Sequence, residues 1–457
     1  MSVKKVIAAC AAAVLAAASF SSCVGKGSGK SAGGGKELRV FLYMNEHERA
    51  VYSKMIEEFE QKKGCKVDFQ ITTQAEYATA LIGMMTSRDF PDVFYVGPET
   101  VREYARNGYI ADLTPLLDKA GISTNDLPQD VLNMFRYNGI VSGSGNLYAL
   151  PKDASVFAYA YNKELFDEAG VAYPDPQHPY TYDEFVAVCQ KLTKDTDGDG
   201  ETDQWGCGFA NAFMLYQFLW SNGASFLSND CRTVAIDTPQ FKDALQKFAD
   251  LTLKYKVTPT VAQDASLGVY QRWLAGQEAF YACGTWDVAA FMDDDTFPFE
   301  WDLCAYPTLS TGISYTWLGT VGFCIAETSK NKDLALEFIN MLSSDEQGQR
   351  SLSGMTGSAS VQLPNLQSLA REFAEMAASG KINYPKNVEV FFNYQNGTGK
   401  YAGRMMESTY TPNNEWLGYF FEGVDNVKNG SMTVDEYVKS VKPRMQEALD
   451  EAWVNVN

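Results

Sequence analysis

The stretch Tyr148-Ala149-Leu150-Pro151-Lys152-Asp153-Ala154-Ser155-Val156-Phe157-Ala158-Tyr159-Ala160-Tyr161-Asn162 decides how the rest of the chain is read. Its second half is an almost unbroken apolar and aromatic run of strand length, the composition of a strand buried on both faces. Its first half holds Pro151, which has no N–H to give to a sheet ladder, followed by a Lys-Asp pair. By itself the stretch allows two readings. It is either a crossing between two α/β lobes with Asp153 facing the gap, or a loop and core strand of one large domain.

Toward the N-terminus the pattern is βαβαβα. Leu38 to Tyr43 reads as a strand, and a helix follows from about Glu46 to Lys63 with Val51, Met55, Ile56 and Phe59 on one face. Gly64 ends that helix, and Val67, Phe69 and Ile71 alternate as a second strand. A helix over about Gln74 to Ser87, a strand at Asp92–Val96 and a helix over Glu99–Asn107 complete the series. Such alternation predicts a parallel, doubly wound sheet, whose ligands lie beyond the carboxyl ends of the strands. Tyr43, Asn45, Gln74 and Tyr95 stand at or beside those ends, offering aromatic faces and neutral amides to a polyhydroxyl ligand.

Toward the C-terminus, Thr181-Tyr182-Asp183-Glu184 is a capping box that starts a helix. Behind it lies Asp195-Thr196-Asp197-Gly198-Asp199-Gly200-Glu201-Thr202-Asp203. Carboxylates at Asp195, Asp197, Asp199 and Asp203, with a glycine for the sharp turn and the carbonyl of Glu201, form the oxygen set of a calcium loop. Gly206 stands where a full EF-hand has its bidentate glutamate, and a strand-like Trp205–Phe209 follows instead of a helix. The expectation is one structural Ca²⁺ pinning a helix–strand connection; a solvated acidic turn is the plainer reading. Phe213–Leu219 is strongly apolar, and Ser266–Ala275 reads as a helix. A strand at Ala279–Cys283 ends in Gly284-Thr285-Trp286-Asp287, an indole placed either to stack on a ligand or to fill the core. Trp317–Ile325 reads as one strand, able to return the chain to the first lobe, and Val434–Trp453 as a closing amphipathic helix.

A length of 457 residues exceeds one ordinary core and calls for two lobes. The formal net charge is −19, and losing Lys4 and Lys5 with a leader takes it to −21. So acidic a surface repels nucleic acid and anionic headgroups. Lys4-Lys5, the apolar run Val6–Ala18 and the small residues before Cys23 read as a signal peptide ending in a bacterial lipobox, with Phe20 where leucine is usual. Cys23 would carry the lipid, and the Gly/Ser/Lys-rich residues to Lys36 would form a flexible tether. Cys65, Cys189, Cys207, Cys231, Cys283, Cys304 and Cys324 lack C-x-x-C spacing, and most read as buried thiols. Only two histidines occur, His47 and His178, without zinc spacing, and no strand-to-helix turn carries a G-x-S-x-G elbow. A secreted carbohydrate-active enzyme is therefore disfavoured.

Several segments, in order, resemble bacterial extracellular solute-binding proteins of ABC importers, in the carbohydrate-binding group that includes maltose-binding protein. They are Pro91-Asp92-Val93-Phe94, Gly108-Tyr109-Ile110-Ala111-Asp112-Leu113, Tyr148-Ala149-Leu150-Pro151, Tyr161–Phe166, Thr181–Phe185, Ala275–Ala279, Gly284-Thr285-Trp286 and Ser329–Lys332. Asn393–Asn414 is insert-like against that pattern. The resemblance implies two hinged α/β lobes (the type II fold), with 37–151 plus 322–367 in one and 152–321 plus 368–457 in the other, after a leader at 1–22 and a lipidated tether at 23–36. It implies a monomeric, non-enzymatic protein, lipid-anchored on the extracytoplasmic face, that passes a sugar to permease subunits. Trp286 and Trp416 become the stacking aromatics and Asp153 a polar contact near the hinge. A polyamine or glycerol phosphate is the alternative ligand, and a lipid-anchored adhesin an alternative role.

Overall fold

A computed structural model describes residues 36–454, apart from 88, 141, 209–210 and 293–296. Cys23 and the leader lie outside the described residues. The strands are β1 (Lys36–Tyr43), β2 (Cys65–Thr72), β3 (Val93–Val96), β4 (Arg136–Tyr137), β5 (Asn146–Leu147), β6 (Leu150–Pro151), β7 (Ser155–Asn162), β8 (Trp205–Cys207), β9 (Glu278–Gly284), β10 (Trp301–Cys304), β11 (Ser314–Gly319), β12 (Gly322–Ile325) and β13 (Tyr401–Arg404).

The first sheet runs β2-β1-β3-β12-β6. β1 is parallel to β2 and to β3, as right-handed β–α–β crossovers require, and β12 enters antiparallel to β3. Helix Glu46–Lys63 packs on it through Val51, Tyr52, Met55, Ile56 and Phe59. Its start is a capping box, in which Asn45 accepts from the Glu48 N–H and Glu48 accepts from the Asn45 N–H. Its end is Gly64 at φ 60°, a left-handed turn that glycine adopts without a steric penalty.

The second sheet runs β13-β11-β7-β9-β8, with β10 also on β7. All eight residues of β7 are buried. Tyr159 alone stacks on Phe185 at 5.4 Å and meets Tyr306 at 4.3 Å between ring centroids. Each such side chain contributes roughly 2–3 kcal/mol by leaving water. The apolar run at 213–219 lies inside helix Asn211–Ser221. One local reading is corrected: Trp317–Ile325 is two strands broken at Thr320-Val321.

That break is a crossing. β11 belongs to the second sheet and β12 to the first, so the chain changes lobes at 320–321. It changes lobes also at 152–154, between β6 and β7. The segment 361–366 runs alongside, with Val361 and Leu366 in the first core and Leu363 in the second. Hydrogen bonds tie the three together. The Lys152 N–H donates to the Val321 carbonyl at 2.8 Å, and Asn365 Nδ2 donates to the Pro151 and Lys152 carbonyls at 3.0 and 3.4 Å.

Candidate functional site

The crossings fix which strand ends meet. Gly322 pairs with Val96 and Pro151 in the first lobe, while Ser155 pairs with Gly319 and Phe157 with Gly284 in the second. The ends of β1, β3 and β6 therefore stand at the joint, as do the start of β7 and the ends of β9 and β11.

On the first lobe, Tyr43 is half-buried, its ring 5.1 Å from those of Tyr77 and Tyr95 in edge contacts. Burial pushes its phenol up to about 12. Asn45 is spent as the helix cap, while Gln74 is exposed on the first turn of its helix. Tyr95 is fully buried. Its N–H donates to the Tyr77 hydroxyl at 2.7 Å, and that hydroxyl donates to the Tyr95 carbonyl at 3.0 Å. Tyr95 backs Tyr43 from behind and presents no face to the cleft, which corrects the expectation for it.

At the hinge stands a charge cluster that sequence reading missed. Lys152 Nζ lies 3.0 Å from Glu48 Oε1 and 3.3 Å from Asp153 Oδ2, with all three side chains at least five-sixths buried. Burial alone would pull the ammonium down; the Coulomb attraction of Glu48 and then Asp153 reverses this and holds it well above its ordinary value. Asp153 also accepts from the Ser155 hydroxyl at 2.8 Å. Asp153 is thus engaged within the hinge, and the other partner of Lys152, Glu48, is the same residue that closes the helix cap.

The second lobe supplies an aromatic corner. Trp286 is 46 % exposed and makes edge contacts with Phe157 (4.9 Å) and Trp317 (6.1 Å). Two glycines create the room. A Cβ on Gly284 would come within 2.5 Å of the Trp286 ring, and one on Gly319 within 1.8 Å of the Trp317 ring. The Asp287 carboxylate fixes the turn by accepting from the Gly284 N–H at 2.9 Å, and burial pushes its own pKa up to about 6. Trp416, expected to stack on a ligand, is instead a core residue. It is fully buried, 6.4 Å from Phe226, with its indole N–H given to Thr411 at 3.1 Å. The heptad-like apolar spacing of its helix (Trp416, Phe420) was the available warning.

Far from this joint, the acidic loop folds on itself. Lys194 and Gln204 bridge its base, Asp195 accepts from the N–H groups of Gly198 and Gly200, and Asp203 accepts from Thr196. Among the described residues, carboxylate oxygens of Asp195, Asp197 and Asp203 lie within 4.8 Å of one another; Asp199 and Glu201 stand outside that group. All seven described cysteines are buried and unpaired.

A two-lobed α/β protein with a charged hinge and an aromatic corner at the joint is the architecture of a binding protein. The chain belongs to the bacterial extracellular solute-binding protein family, whose pattern matches residues 45–349. It is similar to a multiple sugar-binding protein of Streptococcus mutans, 29% identical over 162 residues, 34% of either chain. It is also similar to a diacetylchitobiose-binding protein of Streptomyces coelicolor, 25% identical over 175 residues, 38% of either chain. These matches span only about a third of the relatives' length. Among solved structures, an ABC substrate-binding protein of Listeria monocytogenes in complex with cycloalternan superposes with a TM-score of 0.73 at 22% identity, covering 91% of this chain and 99% of that one. The sugar-binding protein MalE of Xanthomonas citri gives 0.70 at 18%, covering 92% and 99%. The two-lobed binding-protein fold is therefore shared, and the relatives are binding proteins. No described helix is long and apolar enough to cross a membrane.

Proposed function

We propose that the protein captures a sugar or oligosaccharide between its lobes and delivers it to the permease subunits of an ABC importer, without chemical turnover. The observation that carries this is the aromatic corner of Phe157, Trp286 and Trp317, with one indole open, at strand ends beside the hinge. Flat apolar faces edged by hydrogen-bonding groups match the C–H faces and hydroxyl rims of a pyranose. The sugar-binding roles of the Streptococcus and Streptomyces relatives support the same class of ligand. A phosphate ester is disfavoured at the hinge, because Lys152 is already matched by two carboxylates. A polyamine would require exposed acids beside the rings, and Asp287 is turned into the backbone of its own turn. A thermal-shift panel of oligosaccharides, polyamines and glycerol phosphates decides, since a ligand that binds only the folded form raises the midpoint. A polyamine shift with no sugar shift would sink this reading, and release of new reducing ends from a bound oligosaccharide would replace it with an enzyme.

Two further readings belong here. Cys23 is read as the lipidated mature N-terminus that holds a monomer on the outer face of the membrane; Cys23→Ser should release the protein into the soluble fraction, and unchanged membrane retention would refute the anchor. The acidic loop is read as a structural Ca²⁺ site. Its hard oxygen donors and the convergence of Asp195, Asp197 and Asp203 fit that cation, with Asp199 and the Glu201 carbonyl as further candidates.

A further inference from the structure

Four strands of the second sheet each bring one group to the same level at the cleft end. Arg404 on β13 pairs with Trp317 on β11. One step from the Leu318–Val156 pair sets Trp317 opposite Phe157 on β7, and Phe157 pairs with Gly284 on β9, over which the Trp286 ring lies. Ladder partners point to the same face, so these groups form a row across the strands: indole, phenyl, indole, guanidinium. Ring contacts of 4.9 Å and 5.8 Å along Trp286, Phe157 and Trp317 keep it continuous. Three interstrand gaps of ~4.8 Å make the row about 14 Å long.

The guanidinium end is a built polar pocket. Arg404 Nη2 donates to Ser225 Oγ at 2.8 Å and to Glu407 Oε1 at 3.4 Å, and the guanidinium stands 5.4 Å from the centroid of Trp220. The Trp220 indole N–H also donates to Glu407 Oε1, at 3.4 Å. Glu407 is buried, and its Oε2 has no partner. A cavity of about 340 Å³ beside them is bounded by Ser228, Asn229, Tyr410 and, from the helix that leads toward the first lobe, Asp130. Tyr410 reaches that lobe, where its ring edge lies 3.6 Å from the Cβ position of Gly143. Arg404 is paired with Glu407, and Asp130 adds a second carboxylate to the lining, so the pocket suits an uncharged, hydroxyl-rich group better than an anion.

We propose that the ligand is an oligosaccharide lying along this row, with one end unit in the Arg404–Glu407 pocket, and that monosaccharides are bound poorly. This rests on the sugar-binding reading above. A single pyranose ring over the exposed Trp286 indole cannot also reach the guanidinium three strands away, so binding free energy grows as units are added until the pocket is filled.

Calorimetry on the full chain with malto-, cello-, xylo- and chito-oligosaccharides, from one to four units, tests it. The expected result is a series whose trimer binds about tenfold or more tighter than its monomer. Arg404→Gln then removes about tenfold or more of the trimer's affinity, the scale of a hydrogen bond to a charged group, and leaves the monomer unchanged. A monomer that binds as tightly as its trimer, or a trimer indifferent to Arg404→Gln, overturns the inference while sugar binding stands. Should Arg404→Gln fail to fold, the length series on the unaltered protein decides alone. If no sugar in the panel binds, the sugar reading itself falls and takes this inference with it.

Discussion

Lys152 holds its charge at a joint where water is largely excluded. Its value there depends on keeping both partners, because a buried ion left without its counter-charge is costly whichever side is removed. Lys152→Met should therefore lose about 3 kcal/mol of stability in urea unfolding, by the usual scale for breaking a buried pair. A loss within error of zero would show that water reaches Glu48 and Asp153 freely. Glu278, at the far end of β9, is a contrasting case: it is fully buried and neither carboxyl oxygen has a partner. Burial first, then the charge of Asp264, push its pKa well above the carboxylate range, with Arg272 opposing. A folded-state value raised above the unfolded one means that this group's stabilising contribution is whole below about pH 4, the unfolded value, and is lost as pH rises through the folded value. Glu278→Gln, which cannot ionise, should raise the melting midpoint by a few degrees at pH values above neutral. That gain should vanish in acid, and a gain equal at all pH values would refute the account. Neither residue was legible as special in the sequence. Glu48 reads as an ordinary helix-cap acid and Lys152 as a surface lysine, because what makes them a pair is a contact between the start of one helix and a crossing strand distant in the chain.

At the scale of elements, the ends of β9 and β11 are shaped by what they leave out. Gly284 has no side chain, and the Trp286 ring occupies that volume. Gly284→Ala should fold, since the strand's pairing is untouched, but displace the indole and weaken ligand binding about tenfold, the worth of one good aromatic contact. Unchanged affinity would mean that the ring touches no ligand. The acidic loop makes a different kind of statement. Three carboxylates held this close repel one another unless a cation joins them. Ca²⁺ at a hundred times its dissociation constant should stabilise the metal-stripped protein by about 2.7 kcal/mol, and Asp195→Asn should abolish most of that gain. A midpoint that ignores both Ca²⁺ and chelator would leave a plain acidic turn. The loop's spacing was readable from the sequence because its ligands are neighbours in the chain. The aromatic corner was only partly readable. Trp286 follows a strand-ending glycine and stood out; Trp317 read only as the first residue of a strand to Ile325, whereas β11 stops at Gly319.

For the whole molecule, three crossings stitched by Asn365 and Gln362 make the joint a narrow strip of side-chain-to-backbone hydrogen bonds between two separately packed cores. Such a strip bends more easily than either core deforms, and a ligand touching both lobes favours the closed form by its extra contacts there. Small-angle scattering should show the radius of gyration falling on addition of a bound sugar. Asn365→Ala, which cuts the stitching, should widen the ligand-free distribution without unfolding either lobe. Identical scattering with and without ligand would argue for a rigid cleft.

The sequence by itself determined the class of fold, through the βαβαβα order and the apolar run after Pro151, along with the helix caps and the calcium-type spacing. These are local signals, written in periodicity and in residues a few positions apart. Only the tertiary structure decided which side chains share the joint. It put Trp416 and Tyr95 inside their cores, paired Lys152 with Glu48, and ranged Arg404, from the insert-like segment, beside Trp317, Phe157 and Trp286. The physical reason is that a side chain's direction is set by strand register and by what packs behind it, and both are properties of partners far away in the chain. The stretch at 148–162 joins the two levels: its composition announced a buried strand after a break, and its pairing with β9, β10 and β11 made that break a hinge.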